Sequence, residues 1–319
     1  MIKKFSRRLD PLKDLVLLLP LFFAGIVMKK FRRIGAHRLP LSRACLLWIG
    51  VFPIRDHYYE PMFHPRHLRF PLDTDRDLPG IDWNDDGQLA LLETMNYANE
   101  IEGRWHAPGQ PPQFHIDNGS FGPGDADYWY NVVRHFKPAR IIEIGSGHST
   151  LVARQAIDRN RDENPEYACE HICIEPYERP WLEKVGIRVL RDIVEEVDVS
   201  LFNSLQQNDI LFIDSSHVIR PQGDVMTEIL QIMPRLAKGV VVHLHDIFTP
   251  RDYPKIAMIE AISFWNEQYL LEAFLTHNHD WQIIGALNYL QHKHHEALKS
   301  ICPYVKGKTD PGSFYIQRV

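Results

Sequence analysis

Cysteine is scarce: four in 319 residues, at Cys45, Cys169, Cys173 and Cys302. That is too few and too scattered for a disulfide scaffold. Cys169 and Cys173 lie four apart beside an expected strand, but no second pair completes a zinc motif, so all four read as reduced thiols of a cytoplasmic protein. Internal repeats and low-complexity tracts are also missing, which excludes solenoids and a globally disordered chain. Uninterrupted apolar runs are short. The longest, Leu15–Met28 (LVLLLPLFFAGIVM), has fourteen uncharged residues and contains Pro20. As helix it would reach roughly 21 Å, short of a hydrocarbon core of about 30 Å. No small-x-small cleavage site follows it, which argues against a cleaved signal peptide.

What is present is an ordinary globular composition, 45% hydrophobic and 24% charged, able to bury a real core. The net charge of -5 conceals an asymmetry: residues 1–43 carry eleven Lys/Arg against Asp10 and Asp14, leaving 25 basic and 39 acidic residues in the remainder. A basic arm on an acidic body points to an anionic surface met by the arm alone. The arm interleaves its charges with apolar runs, Leu15–Met28 and Ala44–Pro53 (ACLLWIGVFP), on either side of KKFRR at Lys29–Arg33. This pattern suits a peripheral or monotopic element at the inner face of a membrane, touching anionic head groups. A helical arm packed on its own domain or on a second copy is the alternative. The acidic body argues against nucleic acid as a partner.

Residues 1–54 are thus read as the arm and 55–123 as a helical, loop-rich linker with a helix over Gly87–Ile101. A catalytic domain is expected over 124–319, entered through the turn-rich Asp117–Asp127 (DNGSFGPGDAD). From Ala126 onward apolar segments alternate with helical ones. A helix with an aromatic face (DYWYNVVRHF) precedes a strand at Arg140–Ile144. Further strands are expected at His171–Ile174, Ile187–Leu190, Ile210–Ile213, Val240–Leu244 and Trp281–Ile284, and in the C-terminal GSFYIQRV. Alternation of this kind argues for an α/β fold, a mainly parallel sheet covered on both faces, with ligands at the carboxyl ends of its strands.

The first strand–helix turn carries the strongest signal. Residues 141–150 read IIEIGSGHST. Gly145 and Gly147 permit positive φ and close backbone approach, and Ser149 or Thr150 can cap the helix whose amides face a ligand. A dinucleotide fingerprint would need a third glycine where Thr150 stands, which weighs against a NAD-dependent oxidoreductase. An acid, Glu143, instead lies two residues before the first glycine. Glu175, thirty positions after Gly145, ends the second strand in CIEP, where a carboxylate can accept both ribose hydroxyls. The customary interval is about 20 residues; the polar stretch Asp158–Glu166 accounts for the excess.

With these residues in view, the chain resembles the class I S-adenosylmethionine-dependent methyltransferases over residues 124–319. The resemblance implies a Rossmann-like seven-stranded sheet behind an N-terminal mainly helical extension, with S-adenosylmethionine as cofactor. It implies that Glu143, Gly145, Ser146, Gly147 and Glu175 surround that cofactor and that Asp192, after the third strand, meets the adenine amino group. A solvated turn is the alternative for Asp192.

Strands four and five run into Asp214 (NDILFIDSSHV) and His245-Asp246 (GVVVHLHDIF). These segments resemble the metal-dependent sugar O-methyltransferases of macrolide biosynthesis. By matching positions, Asp214 and Asp246 would be metal ligands and His217 the general base. His245 stands where that family carries an acid, which would weaken magnesium or favour manganese, iron or zinc, if an ion binds at all. His217 also suits the chemistry without a metal, since an imidazole titrates near neutrality, although a loop-bonding role at a helix entry is open to it. The acceptor implied is a small-molecule or glycan-like hydroxyl. A membrane-associated scaffold with a vestigial nucleotide pocket remains a competing reading, and the oligomeric state is open. His292, His294 and His295 read as solvated on a surface helix over Leu287–Cys302; His277 and His279 could border the acceptor pocket. Tyr128 and Tyr130 could wall the cofactor site, with a core role the stronger reading.

Overall fold

Strands of four or five apolar residues that alternate between two covered faces need helices above and below them. The computed structural model, which describes residues 2–107, 109, 111–177 and 179–319 and side chains from residue 11, meets that need. The chain separates into two units, Met1–Phe70 and Pro71–Val319.

In the first unit, α1 (Ile2–Ile34) is one continuous helix that includes Pro11 and Pro20, and α2 (Pro40–Ile49) follows a turn at Gly35. The apolar stretch is longer than the uncharged run suggested. Pro11–Ile34 is 24 residues with a mean hydropathy of 1.9, so its length suffices to cross a membrane. The charged residues at Lys13, Asp14, Lys29 and Lys30 do not end the helix, because its backbone hydrogen bonds run through them. The side chains of Lys3, Lys4, Arg7 and Arg8, part of the basic arm, lie outside the described residues. α2 buries none of its residues. Beyond it, Phe52 packs edge-on to Phe31, and Glu60 pairs with Arg32 at 2.9 Å and Arg55 at 2.8 Å.

The second unit opens with α3 (Asp85–Thr94) and α4 (Ala98–Ile101), two helices where one was expected over Gly87–Ile101. The break falls at Met95, which leaves helical φ/ψ and turns into the core, 2% exposed. Then come α5 (Asp125–Phe136), β1 (Arg140–Ile144), α6 (His148–Glu163), β2 (Glu170–Ile174), β3 (Arg188–Leu190), α7 (Ser200–Asn203), β4 (Ile210–Ile213), α8 (Asp224–Thr227), β5 (Val241–Leu244), α9 (Glu267–Leu275), β6 (Trp281–Ala286), α10 (Leu287–Lys293), α11 (His295–Ile301) and β7 (Phe314–Arg318). The sheet order is β3-β2-β1-β4-β5-β7-β6, with β7 antiparallel to both neighbours. This is the expected seven-stranded Rossmann-like sheet closed by an antiparallel C-terminal strand.

The two-residue period divides the core. Ile141, Ile210, Phe212 and Val241 face α5 and α6, where Trp129, Val133, Val152 and Ala156 pack. Ile142, Ile144, Leu211, Ile213 and Val242 face the other way, onto Val225, Ile229, Met233 and Leu271. Residues ahead of α5 join the first cluster: Ile101, Trp105, Phe114, Ile116 and Phe121 are all buried in it. Trp105 stacks on Tyr304, whose hydroxyl donates to the Ile101 carbonyl at 2.8 Å. Tyr128 and Tyr130 are core residues too, bonded to the Ile284 carbonyl and to Glu100 rather than lining a cleft. The four cysteines are free thiols, with Cys173 and Cys302 buried.

Candidate active site

Parallel strands bring the ends of β2, β1, β4 and β5 to one edge, and the turn after β1 closes against β4 there. Gly145 adopts φ +75°, and a Cβ on it would lie 1.9 Å from the Asp214 carbonyl oxygen, so this approach admits glycine alone. Its N–H donates to the Ile174 carbonyl of β2 at 3.0 Å. Thr150 secures the start of α6: its hydroxyl accepts the Gly147 N–H at 3.2 Å and donates to Glu143 at 2.5 Å. Thr150, not Ser149, is therefore the capping side chain, and it occupies the place a dinucleotide fingerprint gives to glycine.

Glu175 projects from the end of β2. One carboxylate oxygen accepts the Ser146 N–H at 3.2 Å and the other the Tyr177 N–H at 2.9 Å. Each oxygen retains a lone pair for a diol. A cleft of about 300 Å³ opens beside it, bounded by Gly145, Glu175, Ile193, Val194, Asp214 and Ser215, with Glu195 and Asp224 adding acid and Arg220 a cation. That volume is at the low end of small-ligand sites. Apolar walls at Ile174, Ile193 and Val194, a diol-accepting carboxylate and a surplus of acid fit a nucleoside carrying a sulfonium cation.

Of the residues assigned to the cofactor by resemblance, Gly145 and Glu175 line this cleft; Ser146 and Gly147 lie in the adjoining turn, and Glu143 and Asp192 lie elsewhere. Glu143 is fully buried on the α6 face, beside His171 at 3.2 Å and Cys173 at 3.1 Å. The pleat explains it: Glu143 shares its face with Ile141, so its neighbour Ile144 lines the cleft instead. Glu143 holds the turn through Thr150 rather than touching a ligand. Asp192 borders a separate cavity of about 490 Å³ with Arg140, Glu170 and Arg188. Arg191 turns back to the Glu175 carbonyl at 3.0 Å, which sends Asp192 to the other side and leaves Ile193, Val194 and Glu195 as the wall.

The ends of β4 and β5 bring together Asp214, His217, His245 and Asp246, as their sequence positions suggested. His217 Nε2 lies 3.4 Å from both Asp214 and Asp246. His245 Nδ1 lies 3.5 Å from Asp214 and 3.9 Å from Asp246, with no hydrogen-bond partner, and its Nε2 is 3.8 Å from Asp125. Among the described residues, two groups have ligand atoms within 4.8 Å of one another: Glu143, His171 and Cys173 behind the turn, and Asp214, His217 and Asp246 in the mouth, where His217 stands in place of His245. Glu267, fifty residues along the chain, completes the cluster at 2.8 Å from His217 Nδ1.

Charges in this mouth are strongly coupled. Burial opposes ionisation of Asp214, but His245 and His217 hold it well below the usual carboxylate range. Burial likewise opposes charge on the two imidazoles, yet Asp214 and Glu267 raise His217, and Asp246 and Asp214 raise His245. Burial pushes Asp246 and Glu267 up. Three carboxylates thus draw protons onto two imidazoles, and a divalent cation between Asp214 and Asp246 would replace that positive charge. The donor set fits such an ion: two carboxylates and an unpartnered imidazole nitrogen.

Other histidines fall elsewhere. His277 and His279 precede β6, which runs parallel to β5, so they sit at the opposite edge of the sheet from the mouth. His292 and His295 lie on α10 and α11 and His294 between them, not on one helix; His292 faces Asp310 at 3.3 Å. The sequence reading missed Glu267, Glu195, Arg220 and Asp125. Asp125 stood in plain view in GPGDAD but read as a turn.

A family model described as a methyltransferase domain matches residues 142–247, the stretch from β1 to just beyond Asp246. An uncharacterized protein of Archaeoglobus fulgidus is 30% identical over 174 residues, covering 50% of this chain and 76% of its own. Among solved structures, the O-methyltransferase TomG from Streptomyces achromogenes, in complex with SAM, is similar at 14% identity and a TM-score of 0.37, over 72% of this chain and 89% of its own. An O-methyltransferase from Bacillus cereus, in complex with SAH, aligns at 12% identity and a TM-score of 0.39, over 73% and 91%. With a methyltransferase-domain match over the cleft and mouth, the sheet order above and a glycine turn facing Glu175, the chain belongs to the class I S-adenosylmethionine-dependent methyltransferases.

Proposed function

We propose that this enzyme methylates a hydroxyl of a small-molecule or glycan-like acceptor, with His217 as general base. One observation carries the reading: a buried imidazole with Nδ1 held by Glu267 and Nε2 3.4 Å from both Asp246 and Asp214, the latter lining the cofactor cleft. S-adenosylmethionine, when bound, supplies an electrophilic methyl on sulfur. The protein's part is to place the acceptor oxygen in line and to remove its proton. Gly145, Ser146, Gly147 and Glu175 would hold the cofactor, and His217 Nε2 would take the hydroxyl proton.

Asp214 and Asp246 would hold a divalent cation, with His245 Nδ1 as a third donor. Such an ion would favour the neutral form of His217 and so its capacity as a base. An imidazole donor is compatible with manganese or zinc more than with magnesium.

We infer further that the first unit attaches the enzyme to an anionic membrane surface at its cytoplasmic face. The support is a 24-residue apolar helix with Leu15–Leu19 more than half exposed and with Lys29, Lys30, Arg32 and Arg33 in its C-terminal turns. Sedimentation with phosphatidylglycerol vesicles but not from buffer alone would support this, and a soluble full-length chain would refute it.

The test of the catalytic reading is transfer of labelled methyl from S-adenosylmethionine to a panel of sugars and phenols, with and without magnesium or manganese. A His217→Ala variant is expected to lose at least ~10²-fold in turnover while binding S-adenosylhomocysteine as the wild type does. Unchanged turnover removes His217 from the reaction.

A further inference from the structure

Residues 265–267, at the start of α9, grip the His217 loop in four ways. The His217 carbonyl accepts the N–H groups of Asn266 at 2.9 Å and Glu267 at 3.2 Å. Asn266 Oδ1 accepts the Ile219 N–H at 2.6 Å. The Trp265 ring lies 4.7 Å from the imidazole, centroid to centroid. The Glu267 carboxylate meets Nδ1 at 2.8 Å, and its side chain is 1% exposed. His217 itself has φ +60°, a conformation that a non-glycine residue keeps only when its surroundings impose it.

Backbone contacts and Trp265 suffice to fix the loop. The carboxylate adds a cost that a loop clamp does not require, since a buried ionisable group is expensive and Glu267 Oε1 has no hydrogen-bond partner. What it does supply is a choice between the two ring nitrogens. A carboxylate only accepts, so the nitrogen facing it carries hydrogen, and the other presents its lone pair. Were the ring to flip, Nδ1 would face the mouth, and the proton-accepting geometry would be lost.

We propose that Glu267 is the positioning residue of His217: it holds the Nδ1–H and so commits Nε2 to the acceptor hydroxyl. When Nε2 gains the hydroxyl proton the ring becomes cationic, and Glu267 faces that charge. This inference rests on the assignment of His217 as base, but its principal readout does not require turnover.

The experiment uses the full chain labelled with ¹⁵N-histidine. A ring N–H bound by a carboxylate gives a low-field proton resonance, here correlated with Nδ1 and assigned to His217 by its disappearance in His217→Ala. In Glu267→Gln, where an amide oxygen can still accept, the resonance is expected to persist and move upfield; in Glu267→Ala it is expected to vanish. Both variants should bind S-adenosylhomocysteine within about 3-fold of wild type, which reports a folded cleft. On the best acceptor of the panel, Glu267→Ala should lower kcat by about 10²-fold with KM little changed, and Glu267→Gln should fall between it and wild type. The double variant His217→Ala/Glu267→Ala should be no slower than His217→Ala alone, because both changes remove one unit. A resonance that survives in Glu267→Ala overturns the proposal. So does a Glu267→Ala change that slows His217→Ala by the same factor as wild type, because Glu267 would then be a structural clamp alone. Full turnover in His217→Ala would defeat the base assignment itself, a result separate from either of these.

Discussion

Gly145→Ala tests the turn that joins the cofactor cleft to the mouth. The added Cβ would stand 1.9 Å from the Asp214 carbonyl oxygen and 2.9 Å from its carbon, both backbone atoms at the end of β4. No side chain can rotate to make room, so β1 and β4 must part. The hydrogen bond that holds them at this point, Asp214 N–H to the Ile144 carbonyl at 2.9 Å, would stretch. The left-handed φ costs an alanine about 1–2 kcal/mol, and overpacking of this kind about 1–3 kcal/mol. The sum, about 2–5 kcal/mol, is a large share of a typical stability of about 5–15 kcal/mol. For a unit of this size it corresponds to a fall in Tm of roughly 4–20 °C. Gly186→Ala separates the two contributions: φ there is +71°, but the nearest atom, on the Arg154 side chain, is 3.8 Å away. Thermal unfolding of both variants, with S-adenosylhomocysteine titration of each, reads the difference. Gly145→Ala should melt well below Gly186→Ala and lose at least ~10-fold in affinity. If the two variants melt together and bind alike, the close approach at Asp214 is not what shapes the cleft.

Glu175→Ala should weaken S-adenosylhomocysteine by about 10–100-fold, the loss expected when charge-assisted hydrogen bonds worth roughly 1.5–3 kcal/mol are removed; Asp192→Ala should stay within about 2-fold, and calorimetry decides between them. Titration with manganese should show binding abolished by Asp214→Asn and weakened by His245→Ala; if His217→Ala is the histidine variant that loses the ion, His217 is a ligand and not the base. Burial pushes the Asp127 carboxyl up to about 6 from an ordinary 3.8, despite the Tyr304 and Gly124 N–H groups bonded to it. Below the lower value both folded and unfolded states are protonated; as pH rises toward 6 the unfolded state ionises first, so wild type should lose up to about 3 kcal/mol relative to Asp127→Asn and then level off. A stability difference that does not change between pH 4 and 7, or that changes in the opposite direction, would show that those N–H groups outweigh burial.

The strands of this fold are legible in the sequence because each is a short apolar run whose period matches the pleat, and the ends of β4 and β5 could be paired from chain order alone. Legibility fails where a side chain's face matters. Glu143 and Glu175 both end apolar strands, yet the pleat buries one behind Thr150 and opens the other to the cleft. Asp192 misses the cleft because Arg191, not an acid, turns inward. Glu267 gave no local signal: it begins an amphipathic helix, and only the packing of α9 against the β4 loop makes it the partner of His217. In the first unit, charged residues delimit an apolar run in sequence but do not stop a helix, which is why the apolar helix is longer than the run.

Calorimetric titration of the purified chain with S-adenosylhomocysteine, alongside Glu175→Ala and with NAD as comparison, shows whether the cleft beside Glu175 is the cofactor site. Saturable binding of S-adenosylhomocysteine that weakens in Glu175→Ala, with no heat from NAD, is the predicted result. A folded wild-type protein that binds NAD in its place, or that binds neither, would contradict the account.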